Sequence, residues 1–309
     1  MSTTVPYQSE HSYRATKSKA AQDIYATIQR GEYCFMEGKK RGIELIVKNS
    51  MVTSEKTSYV KEGAAGNISP NAKKYTGTKI LFTNYDMAKL LFTESDISGK
   101  KQISVIGLGS ATSICGEFQI GKVGYEESIG NCSLAYYTCS IFNDSFYKLN
   151  STEPENGLYK DRVLCAKNIA VVKGPENSWR RFPTEINYYV SPAVNRYVAV
   201  EAGITDNKIN SVMEARLRNI LIEIINDNTA PYNTQERVLV VPPYGVEQGN
   251  NIMQISRILV KLLKQEKMAQ YFSKIIFTAN YNETHILPST FRAAISAQVD
   301  LLRRENAAG

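Results

Sequence analysis

Between Arg14 and Arg30 the apolar residues Ala20, Ile24 and Ile28 recur at every fourth position, and Gly31 follows. That spacing predicts a helix with one buried face, ended by the glycine. Ahead of it, Met1–Ser12 is polar and reads as a loose tail. Gly42–Lys48 (GIELIVK) and Lys79–Thr83 (KILFT) are apolar, β-branched runs of strand length. Between them, Lys61–Lys74 holds Gly63, Gly66, Asn67, Pro70 and Asn71 and reads as a loop. Asn84 or Asp86 can cap a helix over Met87–Thr93. Gln102–Leu108 (QISVIGL) is almost continuously apolar, the pattern of a strand covered on both faces.

A glycine-rich, irregular stretch runs from Gly107 to Gly124, and a helix is expected from about Tyr125. Ser145–Tyr159 is loop-like, and Arg162–Lys173 reads as one or two strands ending at Gly174-Pro175. Asn207–Ile225 reads as the longest amphipathic helix, with Ile209, Val212, Met213, Leu217, Ile220 and Ile224 on one side. Strand Arg237–Val241, loop Pro242–Asn251, helix Ile252–Gln265, strand Lys274–Ala279 and a helix from about Ser289 complete the chain. Short apolar strands alternating with helices predict βαβ units and a parallel sheet, hence one α/β domain with an N-terminal helical extension. Ligands of such sheets bind where loops gather at the carboxyl ends of the strands. Gly107–Glu127 and Pro242–Asn251 are the two loops that stand there.

Composition narrows the class. The chain has 309 residues, 43% hydrophobic and 22% charged, the balance of a globular protein. No apolar run approaches the ~20 residues that span a bilayer, so no membrane contact is expected, and no apolar signal segment opens the chain. The net charge of +7 is dispersed, with Lys39-Lys40-Arg41 the longest basic run, which argues against a nucleic-acid partner. Trp179-Arg180-Arg181-Phe182 interleaves aromatic and basic residues and reads as a solvated loop. Five cysteines without CxxC spacing and only two histidines argue against a metal site and against a disulfide framework. The expected location is cytoplasmic, or otherwise intracellular and reducing, with the nucleus left open. The 19 tyrosines include Tyr136-Tyr137, Tyr188-Tyr189 and Tyr244, which suit core packing, a partner-facing surface or stacking on a base.

The candidate chemistry lies in the first loop, Cys115-Gly116-Glu117-Phe118-Gln119-Ile120-Gly121-Lys122-Val123-Gly124-Tyr125-Glu126-Glu127. Glycines between a buried strand and a helix let backbone N–H groups approach a phosphate. Adjacent carboxylates beside such a loop suit acid/base work on a nucleotide sugar. Taken alone, though, they fit simple stabilisation of a helix N-terminus better.

The order of these residues resembles the signature of the bacterial-type poly(ADP-ribose) glycohydrolases, a family with the macrodomain fold. That signature is a Gly-Gly-Gly-Phe loop, a further Gly, then Gln-Glu-Glu. Gly116, Phe118, Gly121, Glu126 and Glu127 fall in its register without a gap, and Cys132-Ser133 and Tyr136 resemble the family's Ser-Ser and Leu-Tyr residues downstream of the pair. Val238–Asn251 (VLVVPPYGVEQGNN) resembles the family's later strand and Gly-Val-Phe-Gly-Asn phosphate loop, through Gly245-Val246 and Gly249-Asn250. The resemblance implies a three-layer, mostly parallel α/β macrodomain over 13–309, with 13–78 as an accessory region and 79–309 as the core. It implies that Glu127 acts as acid and base on an O-glycosidic ribose bond while Glu126 orients the ribose hydroxyls. It implies ligand contacts from Gly116, Phe118, Gly121, Tyr125, Gly245, Val246, Gly249 and Asn250, with no metal and no cofactor. The implied partner is ADP-ribose or an ADP-ribosylated protein.

The departures fall on the phosphate cradle. Cys115 and Glu117 replace the outer glycines of the triplet, Tyr125 replaces the Gln, and Glu247-Gln248 stands where the second loop has its aromatic residue. One added negative charge at ~5 Å from a phosphate costs on the order of 3 kcal/mol at an effective dielectric near 20. Three expectations stay open: a divergent hydrolase, a non-catalytic nucleotide binder, and an inactive descendant kept as a structural or protein-interaction subunit, through a protein partner or self-association.

Overall fold

The computed structural model describes residues 10–35, 44–95, 100–122, 124–227, 235–279 and 286–308. Helix α1 (Glu10–Arg30) buries Ala20, Ala21, Ile24 and Thr27, as its spacing requires. It begins earlier than expected, so residues 10–12 of the anticipated tail are helical, while residues 1–9 lie outside the described ones. The run expected as a strand over Gly42–Lys48 is instead the start of helix α2 (Glu44–Thr57), with 42 and 43 outside the described residues. The inner face of α2 carries hydroxyls that pair across the packing. Ser54 Oγ lies 2.7 Å from Thr138 Oγ1, and Ser50 Oγ donates to Glu185 at 3.1 Å. Buried serines at helical spacing behind a short apolar run conceal the period from a hydrophobicity pattern.

Strands β1 (Tyr59–Glu62) and β2 (Lys79–Thr83) follow, then α3 (Met87–Glu94), whose Asp86 cap accepts from Lys89 N at 2.7 Å. Next come β3 (Lys101–Ile106), α4 (Tyr125–Cys132) and α5 (Ala135–Ile141). The loop expected over Ser145–Tyr159 is partly helical: a π turn at Asn143–Tyr147 leads into α6 (Lys148–Thr152) because Phe146 and Tyr147 are core residues. Strands β4 (Arg162–Lys173) and β5 (Trp179–Val190) form a long hairpin, so Trp179–Phe182 is strand rather than solvated loop. Trp179 stacks on Tyr33 at 4.6 Å, and Arg180 is buried with its ring-facing guanidinium 5.1 Å from Phe92. The remaining elements are α7 (Arg196–Glu201), α8 (Asp206–Ile225), β6 (Glu236–Val241), α9 (Ile252–Val260), β7 (Lys274–Thr278) and α10 (Ile286–Ala308). At 23 residues α10 exceeds the 20 of α8, so α8 is not the longest helix.

Among the described residues the strands form one seven-stranded sheet in the order β1-β4-β5-β3-β6-β7-β2. The five strands from β5 to β2 are parallel, and β4 and β1 add antiparallel pairs. Alternate strand residues face opposite cores. Ile103, Val105, Tyr188, Val238 and Val240 pack with α1 to α5, whereas Ile106, Tyr189, Leu239, Val241 and Ile275 pack with α8 to α10. Helices on both faces give the three-layer α/β architecture and hide both sides of the central strands.

Near the amino ends of β3 and β6, the Asp227 side chain is wholly buried after α8. Its carboxylate accepts from Lys167 Nζ (2.7 Å), Gln102 Nε2 (3.0 Å), Asn187 Nδ2 (2.6 Å) and Tyr189 OH (2.8 Å). Arg237 extends the network to Gln102 and to the carbonyls of Ile224 and Ile225. With the amino ends locked in this way, the loops at the carboxyl ends are left to carry chemistry. Among the described residues no helix is long and apolar enough to cross a membrane.

Candidate active site

The first loop leaves β3 at Gly107 and returns as the first turn of α4, which places Glu126 and Glu127 at a helix N-terminus behind Gly124. Glu126 is buried, and its Oε1 accepts the backbone N–H of Leu108 (3.0 Å) and of Ser110 (3.2 Å). Burial pushes its carboxyl up to about 8; the loop N–H groups oppose that shift, and the charges of Glu127 and Glu247 add to it. Glu127 is held differently. Its Oε1 accepts the N–H of Glu117 at 3.2 Å, and its carboxylate fills the space left by two glycines. A Cβ on Gly116 would overlap Oε1, and a Cβ on Gly124 would overlap Oε2.

Gly116 is also in the left-handed region, at φ 61°, which a side chain disfavours. Cys115 shares that conformation at φ 52°, so the loop keeps the backbone shape of a glycine there with a buried thiol in place of hydrogen. Glu117 has φ −111°, so its backbone does not require glycine. The loop is pinned from below by Asn150 Nδ2, which donates to Ala111 O at 3.1 Å.

An alanine at Gly124 should therefore displace the Glu127 carboxylate without disturbing the fold. The backbone there is extended, at φ 179°, and the clash is with the tip of a flexible side chain. Gly124→Ala is expected to change the unfolding free energy by less than about 1 kcal/mol, while any turnover falls at least about tenfold. Thermal melts and rate measurements on the same variant check both halves.

The second loop lies directly beside the first. Gly245 N–H donates to Leu108 O at 2.8 Å, and the N–H of the same Leu108 holds Glu126. Gly245 (φ 74°) and Gly249 (φ 83°) are both left-handed, and Val246–Gln248 forms a short turn between them. The Tyr197 ring covers Gly249, within 2.8 Å of where a Cβ would stand. Glu247 is exposed, within the short turn between the two glycines. Desolvation and the facing charge of Glu127 raise its carboxyl to about 7, and Lys122 opposes them. Lys122 is bound to Glu117 at 3.1 Å, so the extra carboxylate of the first loop has a partner.

The structure thus gathers Gly116, Gly121, Glu126, Glu127, Gly245, Val246 and Gly249 around two touching loops. Three of the expected ligand residues stand otherwise. The Phe118 ring is buried between Tyr25 (5.8 Å) and Tyr136 (5.4 Å). Tyr125 is buried and donates its hydroxyl to Ile106 O at 2.9 Å, so its ring supports β3 from the core and does not enter the space between the loops. Asn250 spends its amide on Val194 O (2.8 Å) and Gly245 O (2.9 Å), which makes it a pin for the loop. Of the tyrosines considered for stacking, Tyr188, Tyr189 and Tyr244 are core residues. Ser110, Asn150 and Tyr197 carry no signal in the sequence, because each acts through loop backbone rather than through a recognisable motif. A groove of about 860 Å³ between α8, α9 and α10 shares no residue with either loop. Its one carboxylate, Glu214, is neutralised by Lys261 and Arg218.

Residues 21–174, which include the first loop and the glutamate pair, match the family model "Microbial-type PARG, catalytic domain". No curated protein matches the chain. Among solved structures, poly(ADP-ribose) glycohydrolase from Thermomonospora curvata is similar, with a TM-score of 0.72 at 18% identity over 94% of this chain and 100% of that one. The same enzyme bound to the inhibitor ADP-HPD gives a TM-score of 0.71 at 19% identity, over 94% of this chain and 100% of that one. Poly(ADP-ribose) glycohydrolase from Deinococcus radiodurans in complex with ADP-ribose gives 0.61 at 15% identity, over 82% and 98% of the two chains. The chain shares the fold of these poly(ADP-ribose) glycohydrolases, and its residues 21–174 match the microbial-type family model.

Proposed function

We propose that this relative of the microbial-type poly(ADP-ribose) glycohydrolases hydrolyses O-glycosidic ribose bonds in ADP-ribose conjugates, with Glu127 as acid and base. The observation that carries the proposal is the seat of Glu127: one backbone N–H and two glycines shaped around its carboxylate. Protonated Glu127 donates to the leaving oxygen, and its carboxylate then takes a proton from the water that attacks the anomeric carbon. Glu126, fixed through Oε1 by two backbone N–H groups, orients the ribose hydroxyls with its other oxygen. The diphosphate lies between the glycine loops, where backbone N–H groups approach without side chains. The substrate is an ADP-ribosylated protein or polymer, and the five free thiols suit a reducing, intracellular setting.

Glu247 favours a second reading, in which the fold persists as an interaction subunit without the activity. Its carboxylate adds negative charge beside Glu127, where a diphosphate would lie. Titration with ADP-ribose across pH separates the two. Glu126 and Glu247, raised to about 8 and about 7, are charged above those values and neutral below them. Lowering the pH from about 8.5 to about 6 removes negative charge from the site, so ADP-ribose should bind at least about tenfold more tightly at the lower pH. By the same linkage, the raised Glu126 makes the fold less stable as pH climbs from its ordinary 4.5 towards about 8. No binding at millimolar ADP-ribose and pH 6 would favour the interaction subunit.

A further inference from the structure

Lys122 is the only basic residue in either loop, from Gly107 to Glu127 or from Pro242 to Asn251. Its ammonium lies 3.1 Å from the Glu117 carboxylate and also feels Glu127 and Glu247. Both side chains of the pair are more than half exposed, at 57% and 55%. We infer that Lys122 is the cation that receives the diphosphate of the bound nucleotide, and that Glu117 holds it at the mouth of the site until the ligand arrives. This inference rests on the proposed function.

The exchange is energetically easy. An exposed ion pair is weak, so little is lost when Lys122 changes partner. A diphosphate carries more negative charge than one carboxylate and offers several acceptor oxygens to the three ammonium donors. The Glu117 carboxylate it leaves behind is exposed and becomes hydrated. Glu117 thereby has two separate duties: its N–H seats Glu127, and its side chain parks Lys122. Lys122 also faces the carboxylates that repel the ligand, so it offsets their charge in a loop that has lost two glycines of the triplet.

The test is calorimetric titration of the full chain with ADP-ribose and, as a probe without the terminal ribose, ADP. Lys122→Met should weaken both ligands at least about tenfold, and Lys122→Arg should stay within about threefold of wild type. Glu117→Gln, which removes the competitor, should tighten binding a few-fold. The double variant Lys122→Met with Glu117→Gln distinguishes contact from mere charge balance. If Lys122 grips the diphosphate, the double variant stays as weak as Lys122→Met. Recovery of wild-type affinity by the double variant, or unchanged affinity in Lys122→Met, overturns the inference and leaves the proposed function standing. Failure of wild type to bind either ligand removes both.

Discussion

On the proposed function, replacing Glu127 with glutamine is expected to lower the release of ADP-ribose from a modified protein by about 10²–10⁴-fold, with ADP-ribose affinity kept within about threefold. Glutamine keeps the length and the oxygen that accepts from Glu117 N–H, so the seat between Gly116 and Gly124 remains filled. What it loses is the proton. Neither the leaving oxygen nor the attacking water then has a group to exchange with, and only the binding contributions survive. Glu126→Gln should behave differently, because its Oε1 is spent on Leu108 and Ser110 and its proposed role is to orient the ribose. A pH–rate profile distinguishes the two roles. Release of ADP-ribose by Glu127→Gln at the wild-type rate would remove Glu127 from the chemistry.

The largest effect on stability is expected at the far end of the sheet. Asp227→Ala should cost about 3–5 kcal/mol, because it leaves Lys167 charged and unpaired in the interior. Four donors from three strands converge on that carboxylate: Gln102 on β3, Lys167 on β4, and Asn187 and Tyr189 on β5. All would lose that acceptor together, and buried donors left unmade are expensive. The paired substitution Asp227→Asn with Lys167→Met removes both charges and should recover much of the loss. Urea unfolding of the three proteins measures this, and a change under about 1 kcal/mol for Asp227→Ala would show that the network carries little.

How far the sequence reaches is visible in particular residues. Lys79–Thr83, Met87 with its Asp86 cap, and the strands at 101–106, 236–241 and 274–278 stand almost where their patterns placed them. Most of their buried positions are apolar, with Gln102, Ser104, Arg237 and Thr278 the polar ones in the strands, so the apolar run still reveals the element. Helix α2 and strand β5 are not legible for the opposite reason. The inner positions of α2 include Ser50 and Ser54, and β5 buries Arg180, Thr184 and Asn187. A polar residue at an inner position is stable only when a distant partner satisfies it, and that partner is not written nearby in the chain.

The candidate site divides along the same line. By itself the sequence determined the register of Gly116, Gly121, Glu126 and Glu127 and the two loops that follow parallel strands, because topology sends loops of this kind to one end of a sheet. Only the tertiary structure decided which side chains enter the space between them. It turned Tyr125 and Phe118 into the core, set Asn250 to pinning its own loop, and gave Glu117 a partner in Lys122. It also left Glu247 within reach of the charges of Glu127 and Lys122, so that its titration depends on neighbours more than a hundred residues away. Backbone shape follows from local residue type, whereas the charge and direction of a side chain follow from whatever the fold brings against it.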